Sequence, residues 1–98
     1  MIRLGRRAEQ QVAQLLRHYA RLGRPEARRA LLVAVRQASE RIEANPGAGL
    51  LAPRPYPELA VSGEAWIKSG RYWVVYSLTE PPVILAVFHD AADIPGRA

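Results

Sequence analysis

The fold of this chain turns on the stretch Trp66–Tyr76, WIKSGRYWVVY. Apolar residues flank a Ser-Gly pair, the pattern of two short strands joined by a tight turn. Taking Ser69-Gly70 as a two-residue loop places Lys68 opposite Arg71, Ile67 opposite Tyr72, Trp66 opposite Trp73 and Ala65 opposite Val74. Side chains alternate along a strand, so one face carries Ala65, Ile67, Tyr72, Val74, Tyr76 and Leu78. The other carries Trp66, Lys68, Arg71, Trp73, Val75 and Ser77. The first face suits a hydrophobic core. The second brings two cations and two indoles together and has two readings. In one, the indoles cover a buried face and Lys68 and Arg71 sit in solvent at the turn. In the other, the face is exposed, bases stack on Trp66 and Trp73, and phosphates pair with Lys68 and Arg71. Like charges directly opposite each other cost up to ~1 kcal/mol. Cation–π contact with the indoles, about 0.5–1 kcal/mol, or a bound anion offsets that cost.

Working outward, the pattern predicts strands over Ala65–Lys68, Arg71–Leu78 and Val83–His89, with Thr79-Glu80-Pro81-Pro82 as a turn. VVYSL and VILAVF are apolar on both faces, which suits strands covered on both sides or used for binding. Upstream, the period becomes helical from Ala8. Ala8, Val12, Leu15, Leu16, Tyr19 and Leu22 form one stripe, and Arg6, Gln10, Gln14, Arg17 and Arg21 lie opposite. Gly23 stops this helix and Pro25 opens a second, Pro25–Ala44, whose stripe is Ala27, Leu31, Ala34, Val35, Ala38 and Ile42. The short link makes the pair an antiparallel hairpin. Leu32 and Val33 fall outside the stripe, between Arg29 and Arg36. They are either half-buried at the hairpin edge or a partner-binding patch. Ile2–Leu4 reads as a short first strand. The segment 46–63, PGAGLLAPRPYPELAVSG, is too rich in proline for a regular helix or a central strand. It reads as a long connection pinned by Leu50, Leu51 and Tyr56. The tail from His89 is expected to dock loosely.

The chain has 98 residues, enough for one domain with one core, and no cysteine, which excludes disulfides and thiolate metal sites and fits a reducing cytoplasm. No apolar run approaches the length of a membrane span, and the N-terminus lacks a secretory h-region. Charge is lopsided. Residues 1–43 hold ten arginines and four glutamates, and residues 44–98 carry one more acid than base. The basic half favours an acidic partner, protein or nucleic acid, unless it is a solvated surface. Glycine placement excludes a phosphate-binding loop, and no His/Asp/Glu spacing forms a metal site, so no cofactor is expected. His18 reads as a surface residue. His89 ends an apolar strand beside Asp90, either as a hydrogen-bonded strand end or as a general acid–base. Arg71, Lys68, Tyr76 and His89 are the groups that a cofactor-free cleavage of RNA by its own 2′-hydroxyl would use.

A basic helical hairpin followed by GRYWVVYSL, a turn and VILAVFHDAADIP resembles the RelE/ParE superfamily of bacterial type II toxins. The likeness spans nearly the whole chain and is densest at EANPGAG (43–49), SGRYWVVY (69–76) and VFHDAADIP (87–95). It implies a single α+β domain over residues 1–98, an N-terminal strand and an antiparallel helical hairpin packed on a small, mainly antiparallel sheet, β-α-α-β-β-β. It implies a cytoplasmic, growth-inhibiting toxin of the plasmid-stabilisation kind. It also implies a cognate antitoxin that wraps hairpin and sheet and gives Arg29, Leu32, Val33 and Arg36 a use; a homodimer is compatible with it. RelE-like members cleave mRNA at the ribosome with basic residues plus a Tyr or His. ParE-like members inhibit DNA gyrase and lack that set. The RelE-like strand often carries arginine three residues before the Tyr of VVY. That position here is Trp73, and the cation is Arg71, as in the ParE-like GRY pattern. No tyrosine follows Tyr76, whereas His89 matches the histidine common before the ParE-like D-I-P tail. The resemblance is therefore closer to ParE. The RelE-like alternative has Lys68 and Arg71 gripping phosphate, His89 moving protons and Trp66 or Trp73 stacking a base. A non-toxic basic binding domain is a third reading.

Overall fold

The computed structural model describes residues 1–97. Helix α1, Arg6–Arg21, and helix α2, Pro25–Ala44, form the expected hairpin. Gly23 closes α1 at φ +64, a left-handed conformation that favours glycine. Strands β1 (Glu64–Ser69), β2 (Tyr72–Ser77) and β3 (Ile84–His89) form an antiparallel sheet in that order. A last turn of helix, α3, covers Ile94–Arg97. The fold is α+β, with the hairpin on one face of the sheet. The expected N-terminal strand is reduced to one parallel bridge, Leu4 to Ile84. The chain turns into α1 at Arg6, and the Ile2 N–H is already committed to the Ser39 hydroxyl at 2.7 Å.

The β1–β2 turn differs from its reading. The loop is Gly70-Arg71, so Lys68 faces Trp73, Trp66 faces Val75, Ile67 faces Val74 and Ala65 faces Tyr76. The expected Lys68–Arg71, Ile67–Tyr72, Trp66–Trp73 and Ala65–Val74 pairs do not form. Two constraints set this register. The Ser69 hydroxyl donates to the Ala34 carbonyl of α2 at 2.7 Å, which keeps Ser69 in the strand. Gly70 has φ +56, and a two-residue hairpin loop with glycine first is the type II′ pattern. Each partner moves by two positions, so the side chains that stay in the strands keep their faces, while Arg71 leaves β2 for the loop.

The inner face therefore forms the main core as expected. Ala65, Ile67, Tyr72, Val74 and Tyr76 pack with Leu31, Ala34, Val35, Ala38 and Ile42 of α2 and with Ala8 and Tyr19 of α1. Leu78 lies beyond the end of β2 and is exposed. The outer face is a second core rather than an open surface. Trp66, Trp73, Val75, Ala86, Phe88 and Ile94 are buried there, with Tyr56, Leu59 and Leu85 against them. Trp66 stacks on Phe88 at 5.8 Å and meets Trp73 edge-on at 6.5 Å. The proline-rich segment supplies part of this cover. It is held by a two-way backbone pairing of Leu50 with Trp66, both bonds 2.7 Å, and by buried Pro53, while Leu51 is exposed. The tail docks firmly through Ile94, which is fully buried.

Candidate functional site

Where the hairpin turn meets the β1–β2 loop, the molecule opens a cleft of about 570 Å³, lined in part by Tyr19, Arg24, Arg71, Tyr72 and His89. α1 supplies Tyr19, the helix link Arg24, the strand loop Arg71, and the paired ends of β2 and β3 supply Tyr72 and His89, which face each other in the sheet. The two phenols share a 2.6 Å hydrogen bond. The His89 ring stands edge-on to Tyr72 at 5.2 Å. Its Nδ1 accepts from the Ala91 N–H at 3.0 Å, so the proton of the neutral imidazole is on Nε2. Asp90 Oδ1 is 3.4 Å from that Nδ1. Burial first, and the Tyr19 hydroxyl second, push the Tyr72 phenol above the usual tyrosine range. Tyr72 is therefore a proton-bearing group at neutral pH and no base. Arg24 Nε binds Glu26 at 3.1 Å, whereas the Arg71 guanidinium has no ion-pair partner among the described residues. A neighbouring groove of about 670 Å³ continues past Tyr19 and His89 and adds Arg17, His18 and Arg21.

The expected catalytic set does not converge. Arg71 and His89 line the cleft together. Lys68 turns to the other side of the sheet, 3.3 Å from Asp90 Oδ2 and over the Trp73 ring at 5.8 Å. Tyr76 is wholly buried. Its hydroxyl donates to the Pro46 carbonyl at 2.6 Å and accepts from the Gly49 N–H at 2.9 Å, so it clamps the 46–49 segment and has no route to a substrate. Trp66 and Trp73 are 3% and 7% exposed, leaving neither ring open to stack on a base. The exposed aromatic-cationic face is thereby corrected to a covered one. Its surviving exposed cations are Lys68, beside the second core, and Arg71, at the cleft.

On the outer side of α2, Arg29, Leu32 and Arg36 are exposed and Val33 is half-buried. Their spacing of three, four and seven sets them on one helical face. Leu32 is 51% exposed, so the patch presents an apolar centre between two arginines. Tyr19, Tyr72 and Arg24 were not singled out by sequence reasoning as site residues. Both tyrosines lie in apolar stripes and read as core, and Arg24 is one of many arginines. Among the described residues no group of three His, Asp or Glu side chains is placed to hold a metal ion, and no helix is long and apolar enough to cross a membrane.

No curated protein matches the chain. The family model for the ParE toxin of the type II toxin–antitoxin system parDE matches residues 2–94, which takes in both helices of the hairpin, all three strands, the cleft and the outer face of α2. The chain belongs to the ParE toxin family of type II toxin–antitoxin systems.

Proposed function

We propose that this toxin acts by binding and inhibiting a cellular target, with DNA gyrase the first to test, and that a cognate antitoxin neutralises it by seating on Arg29, Leu32, Val33 and Arg36. The observation that carries a ParE-like mode over a RelE-like one is the dispersal of the cleavage groups: Tyr76 is sealed in the core, Lys68 is paired with Asp90, and both indoles are covered. General acid–base catalysis needs its groups within hydrogen-bond reach of one substrate. The ribonuclease alternative retains one supporting observation, that Arg71 and His89 share a cleft.

Inducible expression in a bacterial host lacking the antitoxin separates the two, with growth, mRNA integrity and DNA supercoiling followed in one culture. The ParE-like reading expects growth arrest with intact mRNA and perturbed supercoiling. Arrest with rapid mRNA loss establishes the ribonuclease instead, and normal growth with folded protein present defeats both. With the antitoxin co-expressed, Leu32→Glu is expected to prevent the rescue of growth.

A further inference from the structure

We propose that the cleft between the hairpin turn and the β1–β2 loop is a binding site for a phosphate group carried on a ligand of nucleotide size, held by Arg71, the His89 Nε2–H and a tyrosyl proton. The donors that define it are the same whichever target the toxin inhibits.

The proton inventory is one-sided. Tyr19 and Tyr72 own two hydroxyl protons and make one hydrogen bond with each other, their only one among the described residues. One of the two protons is therefore left over for a partner in the cleft that both tyrosines line. His89 spends Nδ1 on the Ala91 N–H, which leaves Nε2–H as a second donor with no partner among the described residues. Arg71 adds up to five N–H groups in a planar fork, with no ion-pair partner among the described residues. All three are donors, and all come from residues lining one space. Of the two carboxylates nearby, Glu26, in the lining, is engaged by Arg24 at 3.1 Å, and Asp90, beside His89, is 3.3 Å from Lys68 Nζ. Arg17 and Arg21 in the adjoining groove raise the local positive potential further.

Such a set calls for an anion with several acceptor oxygens in different directions. A carboxylate has two oxygens in one plane and suits the guanidinium fork alone. A phosphate presents three terminal oxygens, so fork, imidazole and phenol can each find an acceptor. The space, about 570 Å³, falls within the roughly 300–1,000 Å³ typical of small-ligand sites. It therefore has room for a nucleoside as well as its phosphate.

The chain has two histidines, so the imidazole Cε1–H signals in an NMR titration report on His89 with little ambiguity. The probes are inorganic phosphate, adenosine 5′-monophosphate, adenosine, a short unphosphorylated single-stranded DNA and a Glu-rich peptide. The expected result is a saturable shift of the His89 signal with phosphate and with the monophosphate, tighter for the monophosphate, and none with adenosine. Arg71→Gln, an exposed loop position that leaves the core intact, is expected to weaken binding about tenfold or more, the scale of one hydrogen bond to a charged group. The Tyr19→Phe, Tyr72→Phe pair removes the surplus proton and is expected to weaken it as well. Folding of each variant is checked by its thermal transition. No saturable shift with phosphate or the monophosphate on folded wild-type protein overturns the proposal. So does a shift produced only by the acidic peptide, or one that Arg71→Gln leaves unchanged. Tighter binding of the DNA than of the monophosphate overturns the assignment to a small ligand.

Discussion

Tyr76→Phe separates a structural tyrosine from a chemical one. The substitution keeps the ring, which is wholly buried, and removes one oxygen. That oxygen donates to the Pro46 carbonyl at 2.6 Å and accepts from the Gly49 N–H at 2.9 Å. Two bonds of about 0.5–1.5 kcal/mol each are lost, and the two backbone groups become less well solvated than in the unfolded chain. The expected destabilisation is about 2 kcal/mol, which for a domain of this size lowers Tm by roughly 8–16 °C. Gly49 makes the position stricter. A Cβ there would lie 2.5 Å from Tyr76 Oη, 2.9 Å from its Cε1 and 3.0 Å from Ala65 Cβ, so the loop is fitted against the hydroxyl and cannot close over the gap freely. Urea unfolding followed by circular dichroism gives the free energy, and expression in an antitoxin-free host gives the toxicity of the folded fraction. A loss of stability with toxicity retained per folded molecule is the expected pair. A change in stability below about 0.5 kcal/mol would refute the clamp. Loss of toxicity in a variant as stable as the parent would make Tyr76 a functional group after all.

Three further outcomes follow, two from the second core and one from the cleft. Trp73→Ala is expected to destabilise by about 3–5 kcal/mol, the range for removing a large buried aromatic. Lys68→Ala is expected to cost less than about 1 kcal/mol, because its ion pair with Asp90 is partly exposed; equal, small effects of both in urea unfolding would mean that the tryptophan face is open. The raised Tyr72 ionisation means that folding favours the protonated phenol. Its contribution is complete below the ordinary tyrosine value of about 10 and is lost as pH climbs above that value through the higher folded one. Stability measured in urea from about pH 8 upward should therefore fall more steeply in the parent than in Tyr72→Phe, and parallel curves would contradict the buried Tyr19–Tyr72 bond.

Much of the architecture was legible because its signals are local. Helix α2 begins and ends where Pro25 and Asn45 predict, and the apolar stripe of α2 is the buried one. The β1–β2 turn sits one residue beyond the Ser69-Gly70 pair that the sequence suggests, yet the residues of both strands keep the faces that alternation predicts. A two-residue change of partner preserves alternation, so the core reading was insensitive to the error, whereas the pairing of Lys68 with Arg71 depended on it entirely. Which of two apolar faces is covered is not a local property. The alternation in Trp66–Tyr76 is the same whether or not Tyr56, Leu59 and Ile94 fold back over it, so the open and covered readings stood side by side until the tertiary structure decided.

The cleft was the least legible part, since its groups come from separate elements and Tyr19 and Tyr72 are 53 positions apart. The pattern VVY drew attention to Tyr76, but Tyr72 and Tyr76 illustrate what a shared face leaves open. Both point into the main core from β2, and four residues of strand separate them by about 13 Å at ~3.3 Å per residue. At that distance they cannot serve one substrate atom. The strand runs from the cleft to the 46–49 segment, so one tyrosine meets Tyr19 and His89 while the other meets Pro46 and Gly49. Membership of the same face says that both are inside. Position along the strand says which one can reach a ligand, and that requires knowing what stands at each end of the sheet.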